Sequence, residues 1–328
     1  MLSHWLEWTL DDKTPSRRTG TFASGAYQLI APGVLALTPE DISDNARACV
    51  FSAAIHGNET APVELLGQWL CALEAGAAKL HAPVLVILGN IPALKAQTRF
   101  VETNLNRLFE RGLDRQGFEA DRARELMQIV DAFFERYAAL PRLHYDLHTA
   151  IRQSRYPRFV VEPFSTTVTE AEQWAWLAGA DMQAILHQHQ PSFTFSHYSR
   201  HYHQAQAFTF ELGRVAPFGQ NDLAALAPMG ALLAALGAGE TPQSGGALPH
   251  FRVEHELKRQ NEAFTLCFDE DVSNFTRFEP GTVLARDGEA GDFTVGSTPL
   301  HVVFPNAHVE LGARAALLVV PADDAAPA

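Results

Sequence analysis

The stretch VFSAAIHGNETAPVELLGQWLCALEAG, residues 50–76, joins a strand pattern to a helix pattern. Val50–Ile55 is apolar and β-prone, whereas Thr60–Gly76 places apolar side chains at helical spacing. The chain turns between these two segments through His56–Asn58. A strand that passes through a polar turn into a helix is the unit from which helix-covered sheets are built.

The same alternation continues through the next 160 residues or so of the chain. Further predicted elements are, in order, a strand at Pro83–Leu88, a helix at Asp121–Tyr137, strands at Leu143–Leu147 and Phe159–Val161, a helix at Thr167–Leu186, a strand at Ala207–Leu212 and a helix at Asn221–Leu236. This order predicts an α/β fold in which a largely parallel or mixed sheet is flanked by helices.

The pattern changes at residues 241–248, which are rich in Gly, Pro and Ser and are typical of a linker. Beyond them, short β-prone runs are separated by turn signals such as Pro280-Gly281. We therefore predict an α/β domain over residues 1–243 and a small C-terminal all-β domain over residues 244–328.

The composition narrows the class of protein. The chain has 328 residues, of which 47% are hydrophobic and 19% charged, and its formal net charge is −13. That charge disfavours nucleic acid as a partner, because polyanion binding needs a basic surface. No apolar run approaches the roughly 20 residues that span a bilayer, and the first residues lack a signal-peptide pattern. We expect a cytoplasmic protein with no membrane partner. Three widely spaced cysteines imply neither a disulfide framework nor a cysteine metal site.

His56, Glu59 and His148 are candidate metal ligands. The first two lie three residues apart in the strand-to-helix turn, and His148 follows a predicted strand. Zinc hydrolases hold their ion with three protein ligands and leave one position for water. Gly57 would let the backbone turn sharply, so that both side chains face one point. An HxxE pair is common by chance, however, so its surroundings decide whether it binds metal.

A denser group of five histidines lies between residues 187 and 203. It follows a predicted helix in a polar, Tyr-rich stretch that resembles a loop. We interpret this stretch as a solvated or substrate-facing segment rather than as a metal site.

Four longer motifs surround the candidate ligands: HGNETAPVE (56–64), RFVETNLNRLF (99–109), DLHTAIR (146–152) and FTFELGRVAPFGQND (208–222). Together and in this order they resemble the succinylglutamate desuccinylase/aspartoacylase family, a branch of the zinc-carboxypeptidase-like hydrolases. The resemblance spans residues 54–222, and the chain length and β-rich tail also fit. It implies a zinc-carboxypeptidase-like mixed sheet.

The resemblance implies one zinc ion per subunit, held by His56, Glu59 and His148. It also implies that Glu211 is the catalytic base. A carboxylate in an apolar strand is costly to bury unless it is paired or functional. From the residues alone, Glu211 is therefore either a catalytic group or part of an ion pair, for which Arg214 is the candidate partner.

The resemblance further implies that Asn106 and Arg107 bind a substrate carboxylate and that Arg99 contacts the substrate. Without it, these residues would be interpreted as part of a solvated loop. Thr149, Arg152 and residues 198–203 are further candidates for substrate contact. Asp146 lies two positions before His148 and would share its strand face, where it would either orient the imidazole or cap the strand end.

The implied reaction is hydrolysis of N-succinyl-L-glutamate, a small anion, to succinate and L-glutamate, the last step of an arginine-degrading route. Arginines are suited to such a substrate because their guanidinium binds carboxylates in a bidentate fork. Two alternatives remain: a related N-acyl-amino-acid hydrolase of the aspartoacylase type, and a non-catalytic protein that binds an amino-acid derivative. The sequence leaves the oligomeric state open.

Overall fold

The computed structural model describes residues 2–11, 18–288 and 291–322. The strands are β1 (Thr19–Phe22), β2 (Gly25–Ala31), β3 (Val34–Pro39), β4 (Ala48–Ala53), β5 (Val84–Leu88), β6 (Arg142–Ala150), β7 (Arg158–Glu162), β8 (Ile185–His187), β9 (Gln206–Arg214), β10 (His250–Lys258), β11 (Thr265–Leu266), β12 (Thr276–Phe278), β13 (Val283–Arg286), β14 (Asp292–Thr294), β15 (Leu300–Val303) and β16 (Arg314–Ala322). The α-helices are α1 (Trp5–Leu10), α2 (Ala61–Glu74), α3 (Ile91–Ala96), α4 (Phe118–Arg136), α5 (Ala171–Gly179), α6 (Phe195–His203) and α7 (Ala227–Gly237), and short 3-10 helices lie at Leu2–His4, Leu105–Arg107 and Ala224–Leu226.

Within the described ranges, thirteen strands form one mixed sheet in the order β1-β2-β3-β5-β4-β6-β9-β7-β8-β10-β16-β15-β12. Its centre, β5-β4-β6-β9, is parallel. Strand β5 is buried throughout: Val84, Val86 and Leu88 pack into one core, and Leu85 and Ile87 into another. The first core contains side chains of α2, α5 and α7, and the second those of α4 and α6. Helices therefore cover both faces, which confirms the predicted α/β fold.

The C-terminal region is all-β, as predicted, and has its own core around Leu257, Leu284 and Leu318. Strands β11, β13 and β14 form a separate antiparallel sheet. The other strands continue the main sheet, because β10 pairs in parallel with β8 and β16 follows antiparallel. Sequence patterns do not specify strand partners across domains, so this continuity was not predicted. The division at residues 243/244 stays a prediction.

Two predicted segments are wrong. The helix predicted at Thr167–Leu186 ends at Gly179, Asp181 has a positive φ of 61°, and the chain then enters β8. Ile185 and Leu186 are buried between β7 and β10, so tertiary pairing overrides their helical spacing. Residues 195–203 belong to the stretch that was interpreted as loop-like and as either solvated or substrate-facing, but they form α6. The Thr194 hydroxyl caps its first turn by accepting the His197 N–H at 3.3 Å.

The N-terminal strands β1–β3 were also not predicted; they extend the sheet edge beyond β5 as an antiparallel meander. Across residues 2–11, 18–288 and 291–322, every helix is too short or too polar to cross a membrane.

Candidate metal centre and substrate cavity

The predicted site residues meet at the carboxyl ends of three neighbouring parallel strands. His56 follows β4, His148 lies in β6, and Glu211 lies in β9 directly opposite His148 in the strand register. Parallel sheets place their binding sites at this end of the strands, because the loops that leave it converge there.

His56, Glu59 and His148 form a buried group of three potential ligands. The Nδ1 atoms of the two histidines are 3.2 Å apart. Glu59 places Oε1 2.9 Å from Nδ1 of His56 and Oε2 2.8 Å from Nδ1 of His148. Zinc bonds of about 2.0–2.1 Å in a tetrahedral site separate ligand atoms by about 3.3 Å. The donor set therefore fits a zinc ion in both chemistry and spacing.

The far nitrogen of each imidazole has a hydrogen-bond acceptor. His56 Nε2 lies 3.0 Å from Oδ1 of Asn104, and His148 Nε2 lies 2.9 Å from Oδ2 of Asp146. A hydrogen on each Nε2 satisfies these contacts and leaves the lone pair of Nδ1 directed at the metal position. Of the two interpretations of Asp146, this geometry favours orientation of the imidazole.

The carboxylates of Glu59 and Asp146 favour a positive charge among the candidate metal ligands. Burial lowers the pKa of His148, but Asp146 and Glu59 together raise it well above the usual value. His56 differs: burial outweighs its attraction to Glu59 and lowers its pKa to about 4. Burial opposes ionisation of Glu59, yet the two histidines hold its pKa well below the usual value. In the metal-free protein these shifts favour positive charge on His148 and negative charge on Glu59.

Glu211 is buried, with 8% of its surface exposed, and its Oε2 atom has no hydrogen-bond partner. Burial, and then the charge of Glu59, raise the pKa of Glu211 to about 8. Among the described salt bridges none includes Glu211, so the alternative of an ion pair with Arg214 has no support. A carboxyl group that titrates near neutral pH, beside a metal position, is suited to accept and return a proton.

The loop at residues 99–107 carries the other predicted residues. Arg99 places Nη1 3.0 Å from Oε1 of Glu59. Asn106 is buried, and its Oδ1 accepts the N–H of Phe195 at 2.9 Å, so its Nδ2 group remains as the donor near His148. Arg107 donates one hydrogen bond to its neighbour's carbonyl and is otherwise exposed to the cavity.

Sequence reasoning missed the residue that holds this loop. Glu119, in the first turn of α4, is 1% exposed. Its carboxylate accepts the N–H groups of Val101 at 2.7 Å and Glu102 at 3.1 Å, and the side-chain amide of Asn90 at 3.2 Å. No local motif signals this role, since the partners lie 17 to 29 residues away. Asn104 was likewise not predicted to contact His56.

The site opens into a cavity of about 800 Å³. Thr149 and Arg152 line it, whereas residues 198–203 do not. The prediction that 198–203 contacts substrate is wrong, because Tyr198 and His203 instead hydrogen-bond Asp131 on α4 at 2.7 and 2.6 Å.

The cavity is rich in cations. Five basic side chains line it, three from the α/β core and two from the C-terminal strands: Arg99, Arg107, Arg152, Lys258 and Arg314. The acidic side chains that line it are Glu59, Glu211 and Glu256. In a chain of net charge −13, this local excess of positive charge fits an anionic ligand.

Comparison with known proteins places the chain among related sequences and folds. Residues 45–236 match the succinylglutamate desuccinylase/aspartoacylase catalytic domain, and residues 246–322 match the AstE/AspA barrel-sandwich hybrid domain. The chain is 41% identical to a succinylglutamate desuccinylase of Burkholderia orbicola (strain MC0-3), over 98% of this chain and 95% of the relative. It is 40% identical to one of Pseudomonas paraeruginosa, over 98% of both.

A solved structure is similar over nearly its whole length. The crystal structure of a succinylglutamate desuccinylase from Vibrio parahaemolyticus superposes with a TM-score of 0.91 at 34% identity, covering 97% of this chain and 95% of that one. Murine aminoacylase 3, at 17% identity and a TM-score of 0.58, covers 87% of this chain and 97% of its own, and shares the fold.

Proposed function

This chain belongs to the succinylglutamate desuccinylase/aspartoacylase family, and we propose that it catalyses the zinc-dependent hydrolysis of N-succinyl-L-glutamate to succinate and L-glutamate. The observation that carries the proposal is the unpartnered, buried Oε2 of Glu211 beside the group formed by His56, Glu59 and His148. The choice of substrate is supported by the full-length relatives and by the cationic cavity. In an arginine-degrading route this reaction would be the last step.

His56, Glu59 and His148 would hold the zinc ion. When bound, zinc lowers the pKa of a water molecule and polarises the scissile carbonyl. The chain's contribution is to keep both imidazoles in the tautomer that frees Nδ1, through Asn104 and Asp146. Thr149 fixes the carboxylate of Glu59 by donating its N–H to Oε2 at 3.1 Å.

Glu211 would carry the proton. Its Oε2 accepts a proton from water as the water oxygen bonds to the amide carbon of the substrate. The same oxygen then returns this proton to the departing nitrogen as the carbon–nitrogen bond breaks, which releases succinate and glutamate. Burial favours the protonated form of Glu211 and so keeps it able to act as an acid in the second half of the cycle.

The loop at residues 99–107 would position the substrate. Arg99, beside Glu59, would face the negative charge that develops on the carbonyl oxygen. The Nδ2 group of Asn106 and the free guanidinium nitrogens of Arg107 would bind the carboxylate next to the scissile amide.

The test is turnover of N-succinyl-L-glutamate by the purified protein, with and without a metal chelator and after zinc is added back. We expect activity that the chelator abolishes and zinc restores. N-acetyl-L-aspartate and N-acetyl-L-glutamate serve as competing substrates. Faster turnover of N-acetyl-L-aspartate would replace the substrate assignment with an aspartoacylase-type activity, and zinc-free protein without any turnover would favour a binding protein.

A further inference from the structure

Two cations of the C-terminal region face each other at the cavity wall. Lys258, at the end of β10, and Arg314, at the start of β16, are cross-strand neighbours in the antiparallel register. Both line the same cavity as His56, His148 and Glu211. Like charges directly opposite each other on neighbouring strands destabilise a sheet, so the presence of two cations at facing positions needs an explanation.

The described partners only partly balance these charges. Glu256 lies 3.6 Å from Nζ of Lys258 and 4.0 Å from Nη1 of Arg314, so a single carboxylate is shared by two cations. Glu256 also accepts a hydrogen bond from the side-chain amide of Gln190 at 2.8 Å, which occupies the same Oε1 atom that faces Arg314. Neither cation is therefore fully paired by this carboxylate.

A third cation adds to the imbalance. Within the described residues Arg107 forms no salt bridge. Desolvation of its guanidinium by the surrounding protein, and then repulsion from the charges of Arg314 and Arg99, lower the pKa of Arg107 to about 10. Arg107 and Arg99 line the same cavity as Lys258 and Arg314. Lys258 and Arg314 share the carboxylate of Glu256, and Arg107 has no salt bridge among the described residues. This wall therefore presents a surplus of positive charge to the cavity.

We propose that Arg314 and Lys258 form a second carboxylate subsite, which binds a substrate carboxylate remote from the scissile amide. The inference rests on the proposed function, whose substrate carries three carboxylates. One of them is assigned to Asn106 and Arg107; the others are the succinyl carboxylate and the γ-carboxylate of the glutamate moiety. A carboxylate at the subsite gives the two facing cations a second anionic partner beside Glu256 and removes their mutual repulsion.

The fold explains why the C-terminal region can take part in substrate selection. Strand β10 pairs in parallel with β8 of the main sheet, and β16 pairs with β10. Lys258 and Arg314 are thus held on the same continuous sheet as His148 and Glu211. Groups held on strands recognise a ligand with better-defined geometry than groups on loops do.

The test compares three substrates of the same shape: N-succinyl-L-glutamate, its analogue with a terminal succinamide, and N-succinyl-L-glutamine. Each analogue replaces one remote carboxylate by a neutral amide. Arg314→Met and Lys258→Met are measured beside wild type. Arg286→Met is the matched control, since this substitution removes the same charge at an exposed position of β13, away from the cavity.

We expect Arg314→Met to lower kcat/KM for N-succinyl-L-glutamate by about 10- to 100-fold, the loss typical of a charge-assisted hydrogen bond, and Lys258→Met to lower it less. For one of the two analogues the ratio of variant to wild type should be close to that of the control. If the variants lose no more activity than the control on the succinamide analogue, the ligand of the subsite is the succinyl carboxylate. If this result is seen with N-succinyl-L-glutamine, the ligand is the γ-carboxylate.

Equal losses on all three substrates would assign the pair a structural role and overturn the inference, as would losses no larger than those of Arg286→Met. Zinc content and thermal unfolding of each variant show whether the fold is intact. Failure of the proposed function is distinct, because wild type would then hydrolyse none of the three substrates. The inference would fall with it.

Discussion

Asp146 Oδ2 lies 2.9 Å from Nε2 of His148, on the side of the imidazole opposite the metal position. The other oxygen of Asp146 accepts the hydroxyl of Ser52 at 2.5 Å, so the carboxylate is fixed at both ends. Burial opposes the charge of Asp146, but His148 and the Ser52 hydroxyl outweigh it and lower its pKa. A charged, immobile acceptor therefore sets which nitrogen of His148 is available to a metal.

Asp146→Asn should weaken zinc binding by about 10- to 100-fold, the effect typical of losing a partner that orients a ligand. The amide keeps the shape of the side chain but not its charge, and it can present an N–H group instead of an acceptor. Competition with a chromophoric chelator measures the zinc affinity. Asp121→Asn, which removes the same charge at an exposed position of α4, is the control. Equal affinities of the two variants would show that Asp146 does not act on the metal.

Glu211→Gln should keep zinc and lose turnover of N-succinyl-L-glutamate. Removal of a general acid–base typically lowers kcat by about 10²- to 10⁴-fold. Because glutamine fills the same space but cannot take a proton, the measurement separates proton transfer from packing. Zinc content by elemental analysis is measured on the same sample as kcat. Near-normal kcat would show that another group carries the proton.

The same substitution should stabilise the metal-free protein, in a way that depends on pH. The folded-state pKa of Glu211, about 8, lies above the ordinary value of 4.5. Between these values the folded protein binds more protons than the unfolded chain, so the free energy of unfolding falls as the pH rises. Glutamine does not ionise, so the Glu211→Gln variant lacks this loss of unfolding free energy. The advantage of metal-free Glu211→Gln over metal-free wild type should grow from pH 4.5 to 8, to the order of a few kcal/mol, and then level off.

Urea unfolding of both proteins at pH 4.5, 6 and 8 in the presence of a chelator checks this expectation. A difference in unfolding free energy that stays constant over that range would mean that Glu211 is ionised in the folded protein.

The sequence predicted the parts of this site that follow from local pattern. Strands β4 and β5 appear as largely apolar runs because they are buried on both faces of the sheet. The spacing of His56 and Glu59 placed both side chains in one turn, and the motifs around them added His148 and Glu211. Their proximity is now a structural fact, and their roles stay predictions.

The contacts that support the site could not be predicted in the same way. The hydrogen bond from His56 to Asn104 joins residues 48 positions apart, and its direction depends on the fold of a loop. Strand β8 was assigned to a helix because its residues continue a helical spacing that strand pairing overrides. Helix α6 was missed because its stretch resembles a polar loop, and capping by Thr194 contributes to its start. Local pattern locates the chemical groups, whereas tertiary contacts orient them.

Glu119→Gln should impair substrate binding although Glu119 does not line the cavity. The backbone N–H groups at the start of the loop now donate to the Glu119 carboxylate, and the glutamine NH2 group would replace one of its acceptor oxygens. The loop that carries Arg99, Asn106 and Arg107 would shift as a result. Misplacement of such groups by about 1 Å can lower kcat/KM by roughly 100-fold. Steady-state kinetics should show the loss mainly in KM, with zinc content retained. Glu102→Gln changes an exposed acid of the same loop, and an equal loss in that control would contradict the role given to Glu119.

Gly57→Ala should destabilise the site for a reason that differs from the sequence-based interpretation. Gly57 was expected to permit a sharp turn, but it is not among the glycines with positive φ. It is needed instead because α3 passes so close: a Cβ at residue 57 would lie 2.1 Å from the carbonyl carbon of Ala93 and 2.2 Å from the nitrogen of Leu94. Backbone atoms cannot move aside as a flexible side chain does.

The substitution should therefore lower the free energy of unfolding by about 1–3 kcal/mol, as overpacking does, and weaken zinc binding, since His56 and Glu59 flank the residue. Gly67→Ala is the matched control, because Gly67 lies inside α2 and a Cβ there would meet only Leu6 Cδ2 at 3.9 Å. Alanine is favoured over glycine within a helix by about 0.5–1 kcal/mol, so this control should be neutral or stabilising. Chemical denaturation of both variants decides the matter: equal stability would mean that α3 yields to the added methyl group, and that the turn does not depend on a glycine.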